Sequence, residues 1–224
     1  MENKSIKKPE IVVFAGPNGS GKSTITNLLR PPMLPYINAD EIQRVLDCDN
    51  MEAAKIAENR REECLEKCKG FCFETVLSTD RNLKLLKRAK DAGFFIRCYY
   101  VLTADPQINV ARVASRVSAG GHDVPTDKII SRYDKALSLV HELIPLCDVC
   151  HIYDILGGGG LHSDLILRLC HDLVAEIGVL HLGDIAIVAE DALRIGHHGL
   201  QLILKAESFF EIHIAHSLFL SLIS

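Results

Sequence analysis

Gly16-Pro17-Asn18-Gly19-Ser20-Gly21-Lys22-Ser23 follows the apolar run Ile11-Val12-Val13-Phe14-Ala15 and precedes a predicted helix from Lys22 to about Arg30. The stretch has the form G-x-x-x-x-G-K-S, and its place between a strand and a helix separates a phosphate-binding loop from a chance match. Glycines let successive backbone N–H groups turn inward around a polyphosphate, and the following helix adds the positive end of its dipole. In that setting Lys22 reaches the β- and γ-phosphates and the Ser23 hydroxyl ligates Mg2+. A plain Gly-rich turn has no need of Lys followed by Ser. The expected nucleotide-binding residues are therefore Gly16, Pro17, Asn18, Gly19, Ser20, Gly21, Lys22, Ser23 and Thr24, with Ser23 on the metal.

A chain of 224 residues accommodates one large domain, or a domain with an extension, and has ample length to bury a core. The formal net charge is -4, unevenly placed: residues 155 to 224 hold only Arg168, Arg194 and Lys205 as bases against eight acidic residues. The remainder is close to neutral, which argues against a broad nucleic-acid surface. Lys4, Lys7 and Lys8 lead into an apolar run too short for a signal segment. No run approaches bilayer-spanning length, so no membrane is expected and the chain reads as a cytoplasmic protein. In that compartment the eight cysteines read as reduced thiols rather than a disulfide framework.

Outward from the loop, Pro31-Pro32 and Pro35 break the chain, and Tyr36-Ile37-Asn38 reads as a short strand ending at Ala39-Asp40-Glu41. A charged helix is predicted from about Met51 to Lys69, then a strand Phe71-Cys72-Phe73-Glu74-Thr75-Val76-Leu77. A helix from about Arg81 to Ala92, a strand from Phe94 to Leu102 and a helix from about Pro106 to Ser118 follow. After the break at Gly120-Gly121, a helix runs from about Thr126 to Leu143 and a strand from Asp148 to Tyr153. This alternation predicts an α/β fold, a doubly wound parallel sheet flanked by helices.

Gly157-Gly158-Gly159-Gly160 is the clearest linker signal, and it divides a domain of residues 1–156 from an extension of residues 161–224. In the extension an amphipathic helix is expected over residues 164–177, and Phe209 to Ser224 is read as helical. No catalytic constellation is visible there.

Phosphoryl transfer needs a cradle with Mg2+, a group that orients or deprotonates the acceptor, and cations for the transferring phosphoryl. The missing parts should sit at the C-terminal ends of neighbouring strands. Asp40 suits a general base there, and it equally suits an N-cap for a helix starting at Glu41. Glu74, within an apolar strand, is costly to leave unpaired and should meet a cation, a substrate group or a hydrated metal. Arg116 and Arg132 flank the Gly120-Gly121 turn as lid cations would, whereas Arg112 reads about equally as a solvated helix face. Cys64, Cys68 and Cys72 at four-residue spacing read as buried thiols rather than a metal site, and Cys147-x-x-Cys150 with His151 and tail histidines is a weaker metal candidate, since two such cysteines fall short of the four ligands a structural zinc needs.

Taken jointly and in order, Ala15 to Ser23, Asn38-Ala39-Asp40-Glu41-Ile42, Phe73-Glu74-Thr75, Arg112-Val113-Ala114-Ser115-Arg116-Val117, Gly120-Gly121-His122-Asp123-Val124-Pro125 and Arg132 resemble the zeta toxin family of P-loop kinases. That family includes UDP-N-acetylglucosamine kinases, and the resemblance covers about residues 8–154. It implies ATP as phosphoryl donor with Mg2+, Lys22, Asp40, Arg116 and Arg132 as catalytic residues, and Asp40, Glu74 and Thr75 on the substrate side. It further implies a small-molecule hydroxyl as acceptor and, for a toxin, an antitoxin that blocks the nucleotide site. Two other readings remain open. One is an ABC-type or regulatory ATPase, to which Ser118-Ala119-Gly120-Gly121-His122 bears a loose likeness. The other is a nucleic-acid kinase, for which Lys84, Lys87, Arg88 and Lys90 would supply cations on one helix.

Overall fold

Ile11 to Ala15 are fully buried, and both neighbours of this run in the sheet are strands. An apolar run with no polar alternation fits that position, because a central parallel strand is covered on both faces. The computed structural model describes residues 8–155, 199–207 and 209–215.

The order begins β1 (Glu10–Ala15), α1 (Lys22–Leu29), α2 (Ala39–Leu46), α3 (Asn50–Glu66), β2 (Phe71–Thr75) and α4 (Arg81–Asp91). It continues with β3 (Phe95–Leu102), α5 (Pro106–Ser118), α6 (Thr126–Leu143), a 3-10 turn (Ile144–Leu146), β4 (Val149–Ile155), β5 (Gly199–Glu207) and β6 (Phe209–Ala215). The sheet order is β2-β1-β3-β4-β5-β6, with β2, β1, β3 and β4 parallel. After β1 the chain crosses to β2 on one side and then to β3 on the other. The loop leaving β1 therefore opens at a switch point, where α/β sheets bind ligands.

One face of the sheet presents Ile11, Val13, Phe71, Phe73, Ile96 and Tyr100 to Ala53 and Ala57 of α3, Leu86 and Ala89 of α4, and Val140 and Leu143 of α6. The other face presents Val12, Phe14, Cys72 and Val101 to Ile25 and Leu29 of α1. Helices on both faces give the doubly wound arrangement that the alternation predicts.

Several boundaries differ from the sequence reading. Tyr36-Ile37-Asn38 is one bridge rather than a strand: Ile37 N–H donates to Cys72 O at 2.8 Å and Cys72 N–H to Pro35 O at 2.9 Å. Helix α2 begins at Ala39, because the Asn38 carboxamide oxygen accepts from Asp40 N–H and Glu41 N–H at 2.7 and 3.3 Å. Asp40 is thus inside the first turn and is not the cap. Helix α3 stops at Glu66, and Cys68 has φ +49°, so Cys64, Cys68 and Cys72 do not share a helical face. Strand β2 ends at Thr75, two residues before Leu77 at φ +55°.

The expected helix over residues 209–224 is corrected in its described part. Phe209–Ala215 is a strand, antiparallel to β5, which in turn pairs antiparallel with β4 from Val149↔Lys205 to Ile155↔Gly199. The sequence carries the reason: Phe210, Ile212 and Ile214 alternate with Glu211 and His213, a period of two. These strands extend the sheet of the loop-bearing domain. The glycine run and the helix expected over residues 164–177 lie outside the described residues.

Candidate phosphoryl-transfer site

The loop after β1 is shaped by a close approach. Gly16 has φ +138°, and a Cβ there would lie 1.9 Å from the Val101 carbonyl oxygen of β3. Its N–H donates to Thr75 O at 3.2 Å, so the loop is pinned between both neighbouring strands. Behind it, Tyr133 O–H donates to Thr103 O at 2.5 Å, and the Thr103 hydroxyl is hydrogen-bonded to the Asn109 side chain.

Lys22 opens α1 and is only 8 % exposed; its Nζ donates to Pro17 O at 2.7 Å. Burial pulls its pKa from the ordinary 10.5 to about 8, with Arg116 pushing the same way and Glu74 and Asp40 opposing. These charges therefore share one neighbourhood. Ser23 O–H donates to Glu74 Oε2 at 3.2 Å, and Tyr36 O–H donates to Glu74 Oε1 at 2.9 Å. The Asn38 amide nitrogen donates to the Tyr36 hydroxyl oxygen at 2.6 Å. Burial raises the Tyr36 pKa strongly, and the adjoining Glu74 carboxylate adds to that. Glu74 thus accepts from two hydroxyls, one of the loop and one of Tyr36.

A cavity of about 690 Å³ opens beside these groups. Lys22, Ser23, Asp40, Glu74, Thr75, Arg112 and Arg116 line it, and Val76, Thr79, Arg81, Asn82 and Arg61 form its far wall. Asp40 stands in the first turn of α2 and Glu74 on β2, so carboxylates from two elements share the cavity with Lys22. The Thr75 hydroxyl accepts from Leu77 N–H at 3.0 Å and from the Asn82 amide at 2.9 Å, which shapes the entry to α4.

Among the arginines, Arg116 donates through Nη2 to His122 O at 2.7 Å, across the Gly120-Gly121 turn. Arg132 does not line the cavity; it reaches the loop from α6, Nη1 to Asn18 Oδ1 at 3.5 Å. Arg112, read evenly from sequence as a solvated face, lines the cavity and sits 3.4 Å from Ser20 O. Arg61, Arg81, Asn82 and Thr79 were missed, since Arg61 lies twelve or more residues from every motif and nothing in its own segment marks it.

The residues of the two weaker site readings are placed as follows. Cys147 and Cys150 meet Cys98, with all three sulfurs within 4.8 Å of one another and buried in the main core. His151 instead stacks on Tyr99, ring centroids 4.8 Å apart. Burial pushes the Cys98 thiol well above its usual range, whereas hydrogen bonds from Cys147 and Cys98 pull the Cys150 thiol below it. On α4, Lys84 pairs with Asp80 at 2.6 Å, Arg88 with Glu62 at 2.6 Å, and Lys90 donates to Pro145 O at 2.9 Å. Three of the four cations that a nucleic acid would need are engaged within the protein. No helix among the described residues is long and apolar enough to cross a membrane.

Strand order, loop and flanking helices define a fold of the P-loop kinase type. The chain belongs to one family with an uncharacterized protein of Haemophilus influenzae, to which it is 30% identical over 138 residues, 59% of this chain and 94% of that protein. AvrRxo1-ORF1, solved with ORF2 and ATP, has the same fold: TM-score 0.56 at 15% identity, over 68% of this chain and 56% of that one. This chain thus matches little more than half the length of that protein. The PezAT toxin-antitoxin system of Streptococcus pneumoniae aligns at TM-score 0.49 and 18% identity, over 79% of this chain and 90% of that one. No family model matches the chain.

Proposed function

We propose that the protein is an ATP-dependent small-molecule kinase that transfers the γ-phosphoryl group to an acceptor hydroxyl. The observation that carries this reading is the joint lining of one cavity of about 690 Å³ by Lys22 and Ser23 of the loop and by Asp40 of α2. An ATPase that uses hydrolysis for movement has no need of a carboxylate-lined acceptor cavity beside its loop. A sugar nucleotide is the acceptor implied by the likeness to zeta toxins, and an antitoxin is the corresponding protein partner.

Lys22 holds the terminal phosphates, and Asp40 accepts the acceptor's proton as its oxygen attacks the γ-phosphorus and the bond to the departing ADP breaks. Arg116, with Arg112 beside it, offsets negative charge on the transferring group, and Arg132 steadies Asn18 of the loop from α6. The paired oxygens of Ser23 and Glu74 fit a hydrated Mg2+: the hydroxyl would hold it directly and the carboxylate would hold its water. Such an ion neutralises phosphate charge when bound.

With γ-labelled ATP and a small-metabolite extract, label is expected to move to a small organic product. Hydrolysis to inorganic phosphate alone, at the same rate with and without extract, would refute the kinase reading.

Lys22 supplies a pH signature. Only its ammonium form donates to a polyphosphate, and in the ligand-free protein that form is lost as pH rises through about 8. Nucleotide affinity is expected to fall above that pH by up to about tenfold per unit. Binding near pH 8.5 should take up a proton, which calorimetry in buffers of different ionisation heats detects. The folding linkage has the opposite sense. Because the unfolded chain keeps this proton up to 10.5, the burial cost of Lys22 is present below about 8 and fades as pH rises between the two values.

A further inference from the structure

Helices α3 and α4 form the wall of the cavity opposite the loop, and a groove of about 420 Å³ continues between them. Four cations stand in this groove, and three are matched by its carboxylates: Arg81 by Glu58 at 3.3 Å, Lys84 by Asp80 at 2.6 Å and Arg88 by Glu62 at 2.6 Å. Arg61 is the fourth. It lines both the groove and the larger cavity, and among the described residues no carboxylate lies within 4.0 Å of it. Its guanidinium lies over the Phe73 ring, 5.2 Å from the centroid, and its Nε is buried with no hydrogen-bond partner.

A half-buried guanidinium with an unsatisfied N–H is costly unless an anion meets it at some stage of the protein's work. The aromatic face returns part of that cost, but it offers no acceptor for the N–H groups. The fork of an arginine matches the two oxygens of a phosphoryl or carboxylate group. Burial holds the Arg61 pKa below its ordinary value, although the nearby Glu58 and Glu62 charges oppose this.

Resting on the kinase reading, we infer that the acceptor carries an oxyanion, phosphoryl or carboxylate, which Arg61 binds while the acceptor hydroxyl faces Asp40. Arg61 is then the residue that selects charged acceptors over neutral ones. Arg81, already matched by Glu58, borders the same end of the cavity and limits how far the anion can travel.

The test reads Arg61 directly. The Nε–H resonance of Arg61, assigned by its loss in Arg61→Lys, is followed by NMR with the loop filled by a non-hydrolysable ATP analogue and Mg2+. Pyrophosphate and succinate are titrated as phosphoryl and carboxylate probes, with glycerol as the neutral control. A saturable shift with either anion and none with glycerol is expected, and the two arms separate the anion classes. Arg61→Gln should weaken that probe's binding by about tenfold or more, and Arg61→Lys, which keeps charge but loses the fork, by less. An unmoved Arg61 signal with both anions, or an equal response to glycerol, would overturn the inference. Analogue binding in each variant reports a folded loop, so loss of the kinase reading is seen separately, as failure of the analogue to bind or of label to reach a product.

Discussion

Asp40→Asn is expected to lower phosphoryl transfer by about 10² to 10⁴-fold while nucleotide affinity at pH 7 stays nearly unchanged. Asn matches Asp in shape and cannot take the proton of an attacking hydroxyl. The Asn38 cap on Asp40 N–H is made by the backbone, so helix α2 should be undisturbed by this change. A second signature separates loss of the base from general damage. Asp40 is one of the charges that hold Lys22 in its ammonium form, so in the variant the alkaline fall in nucleotide affinity should begin at lower pH. Single-turnover transfer and calorimetry across pH measure both. Full transfer in the variant would remove Asp40 from the chemistry.

Gly16→Ala is expected to cost about 4 kcal/mol or more of stability and to lower Tm by roughly 10 °C or more. The added methyl would fall 1.9 Å from Val101 O, and Val101 belongs to a strand hydrogen-bonded on both sides. The φ of +138° adds strain of its own. Gly120→Ala is the matched control: it has φ +86° but nothing within 4 Å of the new methyl, so only the backbone term of about 1 kcal/mol remains. Thermal unfolding of the two variants side by side distinguishes collision from strain. Equal small losses would mean that the β1 loop yields more readily than its hydrogen bonds to both strands imply.

The sequence made the centre of the fold legible because the centre is where local rules agree. An unbroken apolar run, a glycine loop and a helix leave β1 little choice, and β2, β3 and β4 repeat the alternation. Reading failed where one pairing or one cap decides the outcome. Tyr36-Ile37-Asn38 has strand-like residues, yet only Tyr36 bridges to Cys72, and the chain turns into α2 at Ala39 directly after. The sequence reading starts this helix at Glu41 with Asp40 as a possible cap, whereas Asn38 caps it two residues earlier, and both residue types cap well. The strands at residues 199–215 carried a period-two signal that the histidine-rich, aromatic-poor composition around it obscured. Of the motif residues, Lys22, Ser23, Asp40, Glu74, Thr75 and Arg116 line one cavity and Arg132 does not. Arg61 escaped because it reaches the cavity through helix packing across Phe73, a relation with no fixed spacing in sequence.

Asn38 joins two tasks: its oxygen caps the helix that bears Asp40, and its nitrogen holds Tyr36, which holds Glu74, which holds Ser23. The loop, Glu74 and the helix that bears Asp40 thus hang on one hydrogen-bonded frame, while Arg61, Arg81 and Asn82 stand outside it on α3 and α4. The protein is built like a tool with a fixed chuck and a removable bit. Changes on the α3–α4 wall can retune which molecule is gripped without loosening the parts that move the phosphoryl group.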